Sequence, residues 1–462
     1  MPIEDPIWID MSTARALPKS NRHTRADLFG HPRGLSYLFA TEMWERFSYY
    51  GMRALLVLYM VKFLLEPERA QHVIGLSAFK TALESIFGPL AAQPFASHVY
   101  GSYTGLVYLT PILGGLLADR VLGQRRTVII GAALMAAGHF AMAFEQLFLF
   151  ALGLLILGNG AFKPNISTQV GGLYAPGDRR RDRAFSIFYV GINLGAFLAP
   201  LVCGTLGEEL GWHYGFTAAG LGMTAALVIY LLATPHLPKT AFKRQKSRAA
   251  PIDKDGWRAI VALLLLFVPV SLFWATYEQQ GNTIALWADQ FTDRRLFGAE
   301  IPVTWFQAFN PFMIFAFTPF VVVFWRHQGP NEPSTTMKLA IGCFLTALAY
   351  LVMVLAAWSA GVGKASWVWL LAYFVIITIG ELYLSPTSLS LVTKIAPAPL
   401  LSMMMGVWLA TSFVGNFLAG YLGSFWSSMG KIEFFLMLAA ISAAASAAIV
   451  LLSFPLRSVL RN

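Results

Sequence analysis

The chain has 462 residues, of which 13% are charged and 56% hydrophobic, and its mean hydropathy is +0.59. A water-soluble domain needs a charged, mixed surface, so this composition excludes one and requires lipid as the solvent of the exterior. The net charge of +10 and pI of 9.6 do not indicate nucleic-acid binding, because no soluble basic module is present to carry it.

From the N-terminus, residues 1–36 are polar and carry Arg15, Lys19, Arg22, Arg25 and Arg33. They have no apolar core or small-residue cleavage site, so they read as a cytoplasmic tail rather than a signal peptide. Apolar runs long enough to cross about 30 Å of hydrocarbon then recur. They predict twelve spans, at approximately 37–63, 99–119, 126–145, 148–169, 184–206, 214–234, 257–288, 303–325, 337–358, 366–391, 400–426 and 433–454. The fold class is therefore an all-α membrane protein. A six-helix bundle over 37–235 is followed by a linker at 236–256, a second six-helix bundle over 257–455 and a short tail at 456–462. The stretch 66–98 is long for a connection, and 77–87 within it is expected to form a surface helix.

Orientation follows from the basic residues. With the N-terminus cytoplasmic, the opposite side carries only Arg69, Lys80, Arg294, Arg295, Lys364 and Lys431 of the 34 Lys and Arg. That asymmetry predicts cytoplasmic N- and C-termini in a multi-pass protein of the cell (inner) membrane. The basic run 239–254 reads as a solvated linker. A faint internal repeat supports two halves: Gly158 and Pro164 of the fourth span have the same separation as Gly380 and Pro386 of the tenth. Cys203 and Cys343 lie in apolar runs and read as small buried hydrophobes. No nucleophile–base pair, nucleotide loop or metal-ligand spacing stands out, so neither enzyme chemistry nor a cofactor is expected.

Ionisable groups at bilayer depth are functional candidates by default. The first span holds Glu42, Glu45, Arg46, Tyr49, Tyr50 and Arg53. Glu42, Arg46, Tyr49 and Arg53 fall within about 40° of one helical direction, with Glu45 about 60° away. Two carboxylates sharing one arginine make a poor static lock and a ready proton acceptor. The other deep charges are Lys163, Glu278 and Glu381. The deep cations all belong to the first half, and the second half contributes only acids. A cavity between the halves would then suit a small zwitterion, its carboxylate toward Arg46, Arg53 and Lys163 and its amine toward Glu381. Two or three extended residues separate their termini by roughly 6–11 Å, comparable with the roughly 8–10 Å between packed helix axes. Tyr108, Tyr189, Asn193, Trp274, Asn310, Trp408 and Ser412 are further candidates for the lining, where aromatics accept varied side chains by apolar contact.

These residues closely resemble the proton-dependent oligopeptide transporter family of the major facilitator superfamily, from about residue 31 to 454. The resemblance rests on Glu42-x-x-Glu45-Arg46-Phe47-x-Tyr49-Tyr50; on the loop from Gly115 to Arg126 with Asp119, Arg120, Gly123 and Arg125; on Phe188-Tyr189 with Asn193 and Gly195; and on Gly380-Glu381-Leu382 with Ser385-Pro386, together with Gly158-Asn159-Gly160 and Lys163-Pro164-Asn165. It implies a major facilitator fold with a peptide site. Arg46, Tyr49, Tyr50 and Lys163 would receive the carboxyl end, and Glu381 the amino end with Ser385 nearby. It also implies proton coupling through Glu42 and Glu45, with Glu278 counted among the coupling acids. Arg53–Glu278 would form an outer gate and Lys163–Glu381 a cytoplasmic pair. Two departures stand out. Residues 236–256 leave no room for the two extra helices of many bacterial members. Gly101 also occupies the place of the second-helix histidine of animal members, so His98, three residues earlier, reads as external or structural.

The expected function is proton-coupled import of di- and tripeptides by alternating access, performed by a monomer in the lipid bilayer with protons as the coupling ion. The alternatives are a proton-coupled carrier of another small solute (an amino acid, nitrate or a drug-like molecule) and a non-transporting membrane sensor or scaffold.

Overall fold

In hydrocarbon every backbone N–H and C=O must find a partner inside the protein, and a helix supplies all of them within one segment. The computed structural model describes residues 27–28, 30–175, 178–238, 254–397 and 400–455. Most of the expected N-terminal tail and of the 236–256 linker, and the C-terminal tail, lie outside these residues. The long helices are α1 (Arg33–Tyr59), α2 (Ala92–Leu117), α3 (Gln124–Ala141), α4 (Phe148–Gly172), α5 (Arg180–Ala199) and α6 (Trp212–Ala233). They continue with α7 (Lys254–Tyr277), α8 (Phe309–Gln328), α9 (Thr335–Ala360), α10 (Val368–Ile395), α11 (Leu401–Gly423) and α12 (Lys431–Ser453). Among the described residues, 10 helical stretches are long and apolar enough to cross a membrane, α1 and α3 not being among them. α1 carries too many charges, and Arg125, Arg126 and His139 dilute the short α3. Phe150, Leu157, Leu221, Val268, Phe320 and Leu451 are exposed on the outside of the bundle, the position of lipid-facing side chains.

Helices α1–α6 pack mainly on one another, as do α7–α12, and the two sets meet along α2–α11 and α5–α8. The polar bonds between the sets lie at one end. Ser97 Oγ donates to Asn282 Oδ1 at 2.9 Å, Gln93 Nε2 to the Gly423 carbonyl at 3.0 Å, Lys62 Nζ to Asp289 Oδ1 at 2.8 Å, and Gln307 Nε2 to the Ala54 carbonyl at 3.2 Å. This is the far end, opposite the basic end where α1, α3, α5 and α7 begin. Three two-residue strand pairs decorate the helix ends.

The faint glycine–proline repeat has a structural counterpart. A Cβ on Gly131 of α3 would lie 2.7 Å from the Gly158 carbonyl of α4, and one on Gly158 would lie 2.7 Å from the Gly131 carbonyl. In the second half, Gly342 of α9 and Gly380 of α10 face each other in the same way, at 2.8 and 2.9 Å. Each half thus brings two backbones together through a reciprocal glycine pair, as close helix packing in lipid requires. Pro164 has no N–H to offer the Gly160 carbonyl. Gly114 of α2 backs onto that oxygen so closely that a Cβ there would lie 1.9 Å from it.

The spans differ from expectation in two places. The seventh, expected as one helix over 257–288, breaks after Tyr277 into a 3-10 turn, Glu278–Gly281, and a separate helix, Thr283–Gln290. Tyr350 Oη of α9 donates to the Thr276 carbonyl at 2.6 Å, and a Cβ on Gly281 would collide with Tyr100 Oη at 2.2 Å. The second span starts at Ala92 rather than 99, because Gln93 and Ser97 find polar partners on the other half. The surface helix is present as Leu76–Phe87.

Both glycine pairs are predicted to be intolerant of side chains. Gly158→Val and Gly380→Val should each lower the thermal unfolding midpoint in detergent, by overpacking worth about 1–3 kcal/mol. Gly153→Val, which meets nothing within 4 Å, should leave the midpoint unchanged.

Candidate functional site between the two halves

Between the two sets of helices lies a cavity of about 410 Å³, with walls from both. From α1, α2, α4 and α5 it is lined by Tyr50, Arg53, Tyr108, Lys163, Tyr189 and Asn193. From the second half come Trp274, Glu278, Asn310, Glu381, Ser385, Trp408 and Ser412. Sequence reasoning nominated all of these. It did not nominate Tyr277, Gln280 and Gln307, which also line the cavity. Tyr277 precedes Glu278 directly, but a uniform helix would point the two side chains about 100° apart. Both nonetheless line the cavity, Tyr277 as the last residue of α7 and Glu278 as the first of the 3-10 turn.

The charges divide by wall. Arg53 Nη2 donates to Glu278 Oε2 across the halves, while Arg53 Nε donates to Tyr100 Oη at 2.8 Å. This pair sits at the far-end floor of the cavity, and Glu278 is only 2% exposed. Glu381 is set by two donors of its own half, Tyr277 Oη at 2.6 Å and Asn310 Nδ2 at 2.9 Å, and Asn310 also reaches Thr378 Oγ1 at 3.0 Å. Lys163 Nζ lies 4.9 Å from the centre of the Tyr108 ring. Among the described residues no carboxylate oxygen comes within ion-pair distance of it. The expected Lys163–Glu381 pair is therefore not formed. The two groups line one cavity, and the polar contacts between the halves lie at its far end.

The polar stripe of α1 divides in two. Tyr50 and Arg53 face the cavity, whereas Arg46, Tyr49, Glu42 and Glu45 do not line it. Arg46 Nη2 donates to Glu45 Oε1 at 2.6 Å, and its Nε lies 3.5 Å from Glu42 Oε1. Its guanidinium stands 5.1 Å from the centre of the Tyr49 ring. Asn159 of α4 donates to Glu45 Oε1 at 3.3 Å. The same side of α1 thus meets the cavity at the level of Arg53 and α4 at the level of Arg46. Here the structure corrects the expectation that Arg46 and Tyr49 line the site. Arg46 is 3% exposed, with its charge already shared by two carboxylates. Glu42 Oε2 is buried with no hydrogen-bond partner among the described residues. His98 lies outside the cavity, stacked on Phe87 with ring centres 4.3 Å apart. Cys203 and Cys343 are buried and unbridged.

The POT family model matches this chain over residues 125–254 and 244–438. A di-/tripeptide transporter of Lactococcus lactis subsp. cremoris is 34% identical, over 89% of this chain and 93% of the relative. The peptide transporter YePEPT of Yersinia enterocolitica subsp. palearctica is 35% identical, over 86% of this chain and 88% of its own. A crystal structure of a peptide transporter POT in complex with sulfate matches with a TM-score of 0.84 at 30% identity, covering 94% of this chain and 97% of that one. With fold and sequence agreeing over nearly its whole length, this multi-pass membrane protein belongs to the POT family of transporters.

Proposed function

We propose that this chain is a proton-coupled symporter that imports di- and tripeptides across the inner membrane by alternating access. One observation carries the reading: a cavity of about 410 Å³ presents a lysine without an acidic partner on one wall and a hydrogen-bonded glutamate on the other. A peptide offers the matching groups at its two ends. Its carboxylate takes Lys163, with Tyr50 and Tyr108 beside it, and its ammonium takes Glu381. Trp274, Trp408 and Tyr189 supply apolar contact for side chains of different shape.

Coupling is assigned to the buried cluster on α1. One arginine between two carboxylates leaves the cluster short of a positive charge, and the unpartnered Glu42 Oε2 is the natural place for a proton. Glu278 is the second acid of the cycle, since a proton there would release Arg53 and loosen the far end. Far-end closure corresponds to a state open toward the basic end. Twelve spans with both termini on that basic, cytoplasmic side, action as a monomer and the absence of any cofactor other than the proton complete the reading.

Two measurements test it. In proteoliposomes with an imposed proton gradient, Lys163→Ala and Glu381→Gln should each reduce dipeptide uptake by about 10–100-fold, the worth of one charge-assisted contact of roughly 1.5–3 kcal/mol. Uptake at the parental rate in both variants would remove the assignment of the two ends. Glu45→Gln should abolish gradient-driven accumulation yet leave counterflow of labelled dipeptide, because exchange needs the site but no net proton movement. Gradient-driven accumulation at the parental level in this variant would detach coupling from the cluster.

A further inference from the structure

Beyond Ala199 the chain continues through two π-turns, Pro200–Gly204 and Leu206–Leu210. These lie at the far end against the 3-10 turn Val303–Ala308 that leads into α8. A helix start leaves its first N–H groups without partners inside the helix, and Pro302, just before it, has no side chain to cap them. The cap comes from the other half. The Glu208 carboxylate accepts hydrogen bonds from the Val303 and Thr304 backbone N–H groups, both at 2.8 Å, and from Thr304 Oγ1 at 2.7 Å. Trp305 Nε1 donates to Thr205 Oγ1 at 2.8 Å beside it. Gly204 permits this approach, since a Cβ there would lie 1.9 Å from Thr304 Oγ1.

A carboxylate at a helix start makes charge-assisted hydrogen bonds and meets the positive end of the helix dipole. These bonds exist only while the far end is shut. Opening it separates Glu208 from α8 and strands the carboxylate and the N–H groups together. Contacts made in one state and absent from the other are what set a two-state equilibrium. We propose that Glu208 is a positioning residue of the transport cycle, a latch that caps the 3-10 turn leading into α8 across the seam and holds the far end closed independently of Arg53–Glu278. The proposal rests on the alternating-access reading above, but it concerns conformation rather than cargo.

The test uses spin labels at Tyr214→Cys and Val362→Cys, both exposed at the far end and on opposite halves; the native cysteines are buried. In proteoliposomes, Glu208→Ala should raise the ratio of long to short label distances about tenfold, equivalent to about 1.4 kcal/mol. Glu208→Gln, which keeps one amide oxygen as acceptor, should give a smaller rise and serves if the alanine variant does not fold. Gly204→Ala, which wedges the same seam without touching a charge, should shift the distances in the same direction. Parental distances in the Glu208 variants would overturn the latch. Dipeptide uptake in the same vesicles separates the two readings. Shifted distances in a protein that moves no dipeptide remove the symport and leave the latch, whereas uptake with parental distances removes the latch.

Discussion

A charge inside a bilayer must be answered by an opposite charge, by hydrogen bonds or by water, and this constraint organises the protein. Each deep ionisable group on α1, on α4, on the 3-10 turn after α7 and on α10 is answered differently. Arg46 is held by Glu45 and Glu42, and Arg53 crosses the halves to Glu278. Glu381 is held by neutral donors, and Lys163 faces an aromatic ring. Arg53–Glu278 is a closed pair, whereas the Arg46 cluster keeps Glu42 Oε2 without a hydrogen-bond partner among the described residues. Glu381 and Lys163 have no ion-pair partner among the described residues, and both line the cavity of about 410 Å³ between the halves. On the proposed reading, affinity for a cargo resides in charged groups for which the protein supplies no counter-ion.

Much of this was legible in the sequence, because lipid imposes simple rules. Hydropathy located the ten stretches that, among the described residues, are long and apolar enough to cross a membrane, the helical period placed the α1 charges on a stripe, and Gly158 and Gly380 share a spacing in the two halves. The glycine repeat was legible as spacing but not as cause, since only coordinates show Gly131 and Gly342 facing them. Most of what escaped depends on departures from a regular helix. The break after Tyr277 concealed Gln280, and Gln307 sits in an irregular turn, whereas Tyr277 follows Trp274 by three residues on one regular helix and was simply passed over. The separation of Arg46 from the cavity depends on Asn159 and α4, a neighbour that a single helical wheel cannot reveal.

The two seams are built differently from the helix pairs inside each half. At α2–α11 the contact is backbone on backbone: a Cβ on Gly101 would lie 2.6 Å from Gly420 Cα. At α5–α8 it is carboxylate on helix start. Within the halves, reciprocal glycine pairs join backbones with little room to slide. On the proposed alternating-access cycle, rearrangement is concentrated where the halves meet, in contacts that break cleanly instead of deforming.

The arithmetic of charge in the cavity has an electrical corollary. Its ionic side chains are Arg53, Lys163, Glu278 and Glu381, two of each sign, and a cargo with one charged group at each end adds none. The Glu42–Glu45–Arg46 cluster is the uneven one. On the proposed cycle, transmembrane voltage therefore has little purchase on the loaded cavity and acts on the proton taken up beside it, at about 2.3 kcal/mol per charge for each 100 mV. A peptide with neutral side chains would ride across as an electrically silent passenger, and one with a lysine or aspartate side chain would feel the field directly.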